Sequence, residues 1–137
     1  MPNLAETPLP PPALAPNFAA LMEFIREPDL GLAALSPSRF IQLVGIDLQT
    51  LAAQAHVHRN TLARSPTSEA VQRFLREALR VIRAATDVSG DVNRALFWYR
   101  NEPLAPFGYK TAETLVSDGR TEDVLRYVMS LEAGASG

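Results

Sequence analysis

The sequence predicts an all-α fold. Apolar residues recur at three- and four-residue spacing in the long segments, no segment alternates apolar and polar residues with a period of two, and proline or glycine marks the breaks between segments. With 137 residues, 47% of them hydrophobic, the chain suffices for one compact domain or for two small helical units sharing a core.

Residues 1–16 carry Pro2, Pro8, Pro10, Pro11, Pro12 and Pro16. Proline lacks a backbone donor and fixes φ, so this stretch reads as a flexible, extended arm. From Asn17, a plausible N-cap, Phe18, Leu21, Met22 and Ile25 make one apolar helical face that Pro28 ends. Ser36-Pro37 then caps and opens a second helix through Phe40, Ile41, Leu43 and Val44, with Gly45 as its stop. Residues 47–55 and 59–64 form two very short helices around a tight turn. A long helix follows, capped by Ser65-Pro66 or Thr67, with Val71, Phe74, Leu75, Ala78, Leu79 and Ile82 as its core stripe, and residues 87–90 break it. Asp91 opens the next helix, with Val92, Ala95, Leu96 and either Trp98 or Tyr99 on the apolar side, and Pro103 closes it. Lys110-Thr111 starts a helix through Leu115 and Val116, which Gly119 stops. Thr121-Glu122-Asp123 begins the last helix, whose apolar residues are Val124, Leu125, Val128, Met129 and Leu131. The expected organisation is an arm over 1–16, a helix–turn–helix unit over 17–90 and a C-terminal module over 91–137.

The net charge of -2 hides a basic middle between acidic ends. Residues 1–37 carry Arg26 against Glu6, Glu23, Glu27 and Asp29. Residues 38–100 carry nine arginines against five acids, and residues 101–137 carry Lys110, Arg120 and Arg126 against six acids. This permits an anionic partner at the centre without the charge of a dedicated nucleic-acid binder. Cysteine is absent, which excludes disulfides and thiol chemistry. No apolar run approaches the roughly 20 residues of a membrane span, and no basic region followed by an apolar stretch opens the chain, so the expected compartment is the cytoplasm with no membrane partner.

Residues 51–64 have the spacing of a helix–turn–helix. Leu51, Ala55, Val57 and Leu62 pack the two helices together, and Ala52 and Ala55 are small enough for a close crossing. Arg59, Asn60, Thr61 and Arg64 then face outward, where a DNA reader needs donors. Two positions depart from the usual pattern: His56 stands where the turn normally has glycine, and His58 where the cap normally has serine. Either the unit reads an operator through those four residues, or it keeps the packing without touching DNA. Arg73, Arg76, Arg80 and Arg83 form a helical stripe, balanced in part by Glu69 and Glu77, and read first as a solvated face. His56 and His58 have no nearby third ligand, so neither a metal site nor a cofactor is expected. Glu122-Asp123 sits at a helix start, where the macrodipole accounts for it, and no phosphate loop or nucleophile elbow is present. The chain therefore reads as non-enzymatic.

Trp98, Asn101, Pro103-Leu104, Gly108-Tyr109-Lys110-Thr111-Ala112, Leu115-Val116, Gly119-Arg120, Val124-Leu125 and Leu131-Glu132-Ala133-Gly134 together resemble the toxin-binding module of the Xre/MbcA/ParS antitoxins of type II toxin–antitoxin systems. The unit before it is similar to the Xre-like helix–turn–helix region that these antitoxins place there. The resemblance implies a partner, a RES-domain toxin that degrades NAD or uses it for ADP-ribosylation, with the antitoxin as a homodimer or in a larger hetero-oligomer with the toxin. It also implies that the C-terminal segment blocks the toxin's active site. Carried onto this sequence, the toxin-binding residues are Trp98, Lys110, Thr111, Arg120, Arg126, Glu132, Ala133, Gly134, Ser136 and Gly137, with 132–137 as a flexible tail that threads the cleft. Operator DNA is the second expected partner, through autorepression. The competing reading is a helix–turn–helix transcription regulator whose C-terminal module only dimerises.

Overall fold

The computed structural model describes residues 17–31 and 33–136, and eight α-helices lie among them, with no strand. The arm over 1–16 and Gly137 lie outside the described residues.

The first helix, α1 (Phe18–Ile25), starts where Asn17 accepts a hydrogen bond from the Ala20 amide at 2.9 Å, and it buries Leu21 and Ile25. It stops at Ile25, and Pro28 opens a single 3-10 turn, Pro28–Leu30. An isolated antiparallel bridge between Arg26 and Leu35 returns the chain to α2 (Pro37–Val44). Ser36 caps α2 by accepting from the Arg39 amide, and its own hydroxyl donates to Glu27 at 2.6 Å. Helices α3 (Leu48–Gln54) and α4 (Arg59–Arg64) form the expected helix pair. Leu51, Ala52 and Leu62 are buried, with Ala55 and Val57 packed beside them.

The long helix α5 (Glu69–Ser89) has 21 residues, about 31 Å of axis. Its N-cap is Ser68, rather than any of residues 65–67, and Ser68 makes no side-chain cap bond. Instead Gln72 does the fastening: its amide oxygen accepts from the Leu35 amide at 2.9 Å, and its amide nitrogen donates to the carbonyls of Leu35 and Pro66, both at 2.9 Å. Each of these buried backbone groups would otherwise cost about 1–3 kcal/mol unsatisfied. The predicted stripe on α5 is buried throughout, and Val81 and Ala85 are buried as well, because the helix is covered on several sides.

Helix α6 (Val92–Asn101) and helix α8 (Thr121–Ser136) make the most extensive packing on α5, and α7 (Ala112–Ser117) fills the space between them. One hydrophobic cluster runs from Leu21 to Val128, so the segments on either side of Gly90 share a core. Of the two aromatic residues proposed for the inner face of α6, Tyr99 is the one in the core, while Trp98 is half-buried. On α8 Thr121, Val124 and Val128 are buried, with Leu125 and Tyr127 partly so. Met129, expected on the apolar face, lies off it and is 65% exposed, whereas Leu131 stays on the stripe of Val124 and Val128 at the end of the packed region and is 40% exposed. The tail also differs from expectation: residues 132–136 continue α8 as helix.

Candidate functional site

The C-terminal module is held by local chemistry that the sequence spells out. Asp91 caps α6 by accepting from the amides of Asn93 (2.7 Å) and Arg94 (3.3 Å). After α6 the chain makes a tight turn over residues 104–110, closed by an antiparallel bridge in which the Leu104 amide donates to the Lys110 carbonyl at 3.0 Å. Two successive residues in that turn hold left-handed backbone, Gly108 and Tyr109, both with φ of 66°. A Cβ on Gly108 would meet nothing within 4 Å, so the sign of φ and not close approach accounts for the glycine. Tyrosine tolerates that region at a cost of about 1–2 kcal/mol.

Thr111 caps α7 by accepting from the Thr114 amide at 3.2 Å. Helix α7 ends in a Schellman arrangement: Arg120 N–H donates to Leu115 at 2.8 Å and Gly119 N–H to Val116 at 3.0 Å, with Gly119 at φ 80°. The three cations proposed for toxin contact are all engaged inside the module. Lys110 pairs with Asp118 at 3.1 Å, Arg120 with Asp123 at 3.0 Å and Arg126 with Asp123 at 2.9 Å. Hydrogen bonds from Arg120 and then Arg126 hold the Asp123 carboxyl below the usual carboxylate range. Arg120 also lies 5.1 Å over the Phe107 ring, which meets Tyr127 edge-on at 5.8 Å.

Apolar surface remains elsewhere on the module. Trp98 lines an open groove of about 200 Å³ with Ala85, Val88, Val128 and Leu131, and Arg94 borders it. Phe97 is 67% exposed and Tyr109 70% exposed. Glu132, Ala133 and Gly134 are exposed on the last turns of α8, and Ser136 is the final described helical residue. Beneath this surface the Tyr99 hydroxyl is fully buried, and burial, helped by the Glu113 charge, pushes its titration far up, so the phenol stays neutral. Tyr109 and Phe97 were not among the residues proposed from sequence. Nothing in the identity of a tyrosine announces left-handed backbone, although its place beside Gly108 in a Pro- and Gly-rich connection marked the turn.

In the short helix pair, α3 ends in the same Schellman arrangement as α7, with Val57 N–H donating to Ala52 at 3.0 Å and His56 N–H to Ala53 at 3.2 Å. His56 occupies the glycine position at φ 58°. Its side chain reaches across to α7: Nε2 lies 2.7 Å from the Ser117 carbonyl, which only accepts, so Nε2 carries the proton. The Ser117 hydroxyl in turn donates to the Gln54 carbonyl at 2.8 Å. His58 caps α4 by accepting from the Asn60 amide on Nδ1 at 3.1 Å, doing the work of the usual serine. Arg59, Asn60 and Arg64 are exposed, and Thr61 is half-buried.

The arginine stripe of α5 is largely engaged with its own chain. Arg76 pairs with Glu69, Arg80 with both Glu77 and Glu122, and Arg83 lies 5.8 Å over Phe18. Arg73 borders a polar cleft of about 550 Å³ with His56, Glu77, Arg80, Ser117 and Glu122. Exposed pairs of this kind contribute about 0–1 kcal/mol each, and only the Arg80–Glu122 pair links the stripe to α8. No described helix is long and apolar enough to cross a membrane. No family model, no curated protein and no solved structure matches the chain.

Proposed function

We propose that the chain is the antitoxin of a type II toxin–antitoxin pair, binding a RES-domain toxin that acts on NAD and blocking its active site with α8. The reading rests on the resemblance of residues 98–134 to the Xre/MbcA/ParS toxin-binding module. One observation carries it further. The module engages Lys110, Arg120 and Arg126 with its own carboxylates while leaving Phe97, Tyr109, Met129 and Leu131 at the surface. Large apolar side chains at the surface of a module whose cations are internally neutralised suit docking to a protein. With residues 132–136 helical, the blocking element enters as a preformed helix end, and less ordering entropy opposes binding than for an extended tail.

The test is co-purification with a RES-domain toxin from the neighbouring reading frame, followed by its NAD consumption. A tight complex in which NAD loss stops is the expected result; a chain that neither holds the toxin nor slows it removes the reading. Deleting residues 131–137 leaves the fold, whose buried residues on α8 end at Val128, and abolishes neutralisation.

A second reading is kept by the helix–turn–helix, where Arg59, Asn60 and Arg64 stand exposed on a short helix after a tight turn. In this reading the antitoxin also represses its own operon. Replacing Arg59 and Arg64 with alanine then weakens retention of the promoter fragment in a mobility-shift assay, and unchanged retention takes the helix pair out of the mechanism.

A further inference from the structure

Among the described residues two that are not glycine hold left-handed backbone, and they differ in what their side chains do there. His56 uses the conformation to reach Ser117, 61 residues along the chain, with a 2.7 Å hydrogen bond. The strain at that turn is offset inside the fold. Tyr109 has no such contact: its ring is 70% exposed, and it makes no ring pairing and no hydroxyl hydrogen bond among the described residues.

The turn itself does not need a tyrosine. Its backbone bonds, from the Tyr109 amide to Leu104 at 2.9 Å and from the Lys110 amide to Phe107 at 3.3 Å, use main-chain atoms that glycine supplies without strain. The inward aromatic of the same turn is Phe107, already seated between Tyr127 and Arg120. Tyr109 is therefore a large, rigid, amphipathic group held outward at a backbone cost that this chain alone does not offset. Strain of this kind persists where a binding surface uses it, and tyrosine gives much contact area for little lost rotamer freedom.

We propose that Tyr109 is the aromatic anchor of the partner surface, entering an apolar pocket on the toxin. This rests on the antitoxin reading given above. The charges of this segment are largely settled within the chain: Lys110 pairs with Asp118, Arg120 and Arg126 with Asp123, Glu122 with Arg80 and Glu113 with Arg100, so apolar contact and not charge is what the ring offers a partner.

Glycine at position 109 separates this role from a structural one, because it removes the ring and relieves the strain together. The free Tyr109→Gly variant melts about 3 °C above the wild type, and its affinity for the purified RES-domain toxin, measured by calorimetry, falls at least tenfold. Tyr109→Phe keeps the ring and retains most of the affinity. A glycine variant that binds the toxin as tightly as the wild type overturns the anchor. So does one that melts lower, since the ring would then be packing on its own chain. A glycine variant that only converts a dimer to a monomer in light scattering, with toxin affinity unchanged, assigns the ring to a second copy and also overturns it. A wild type that fails to bind the toxin, by contrast, defeats the antitoxin reading itself and the anchor with it.

Discussion

The turn between α3 and α4 and the turn between α6 and α7 both place a bulky residue in left-handed backbone, His56 in one and Tyr109 in the other. In the first, the side chain lies along the surface of its own chain and joins two parts that are far apart in sequence. The Gln54 carbonyl, the His56 ring and both the hydroxyl and carbonyl of Ser117 form one small network between α3 and α7. In the second, the backbone is closed by its own bridge and the side chain is left in solvent. The same local strain thus serves cohesion at one turn and leaves a group available to a partner at the other. Backbone conformation alone does not reveal a binding surface; where the strained side chain goes does.

If that contrast is right, substitutions at the two turns separate cleanly. His56→Ala keeps the left-handed backbone and loses the bond to Ser117, so unfolding in urea shows a loss of about 2 kcal/mol. His56→Gly loses the same bond but releases the strain, and its loss is smaller, about 1 kcal/mol. Equal losses for the two variants would mean that the hydrogen bond, and not its balance with the strain, governs the turn. At the other turn the sign reverses: Tyr109→Gly gains about 0.5–1 kcal/mol in the same measurement, because no contact within the chain is given up. The smallest effect concerns Asp123, which ties Arg120 and Arg126 beside that turn. Its carboxyl titrates below its ordinary 3.8 in the folded chain, so the stabilisation is present above about pH 4 and is lost as pH falls through the lowered value. Thermal melts of Asp123→Asn and wild type differ slightly at pH 6 and converge below pH 3.

Much of this architecture was legible in the sequence where local chemistry decides it. Asn17 and Ser36 accept the amide bonds expected of caps, and Asp91 and Thr111 cap the helices they were expected to start. Leu51, Ala52 and Leu62 are buried between α3 and α4, as their spacing predicts. The start of α5 was not legible, because Ser68 competes there with Ser65 and Thr67 as a possible cap, and the deciding contact is Gln72 on Leu35, 37 residues back. The face of α8 was misjudged at Met129 for a related reason: the residue is apolar, but only the positions of α5 and α7 determine which stripe of α8 is covered. Residues 132–134 look too small and too rich in glycine to extend a helix, yet they continue the preceding turns.

The candidate site was legible in outline only. The module was located by its order of Trp98, Pro103, Gly108, Thr111 and Gly119, whereas its proposed cations turned out to be engaged with neighbouring carboxylates. Charge pairing depends on side-chain geometry that a residue list does not hold. The exposed Tyr109 ring is invisible for the same reason.

The most direct measurement is the NAD consumption of the purified RES-domain toxin with an equimolar amount of the full chain, set beside the same assay with residues 131–137 deleted. Neutralisation by the full chain and undiminished NAD loss with the truncated one, both proteins melting cooperatively, is the predicted pair of results. Undiminished NAD loss in the presence of the full chain would contradict the antitoxin function, and neutralisation by the truncated chain would contradict blocking by the end of α8.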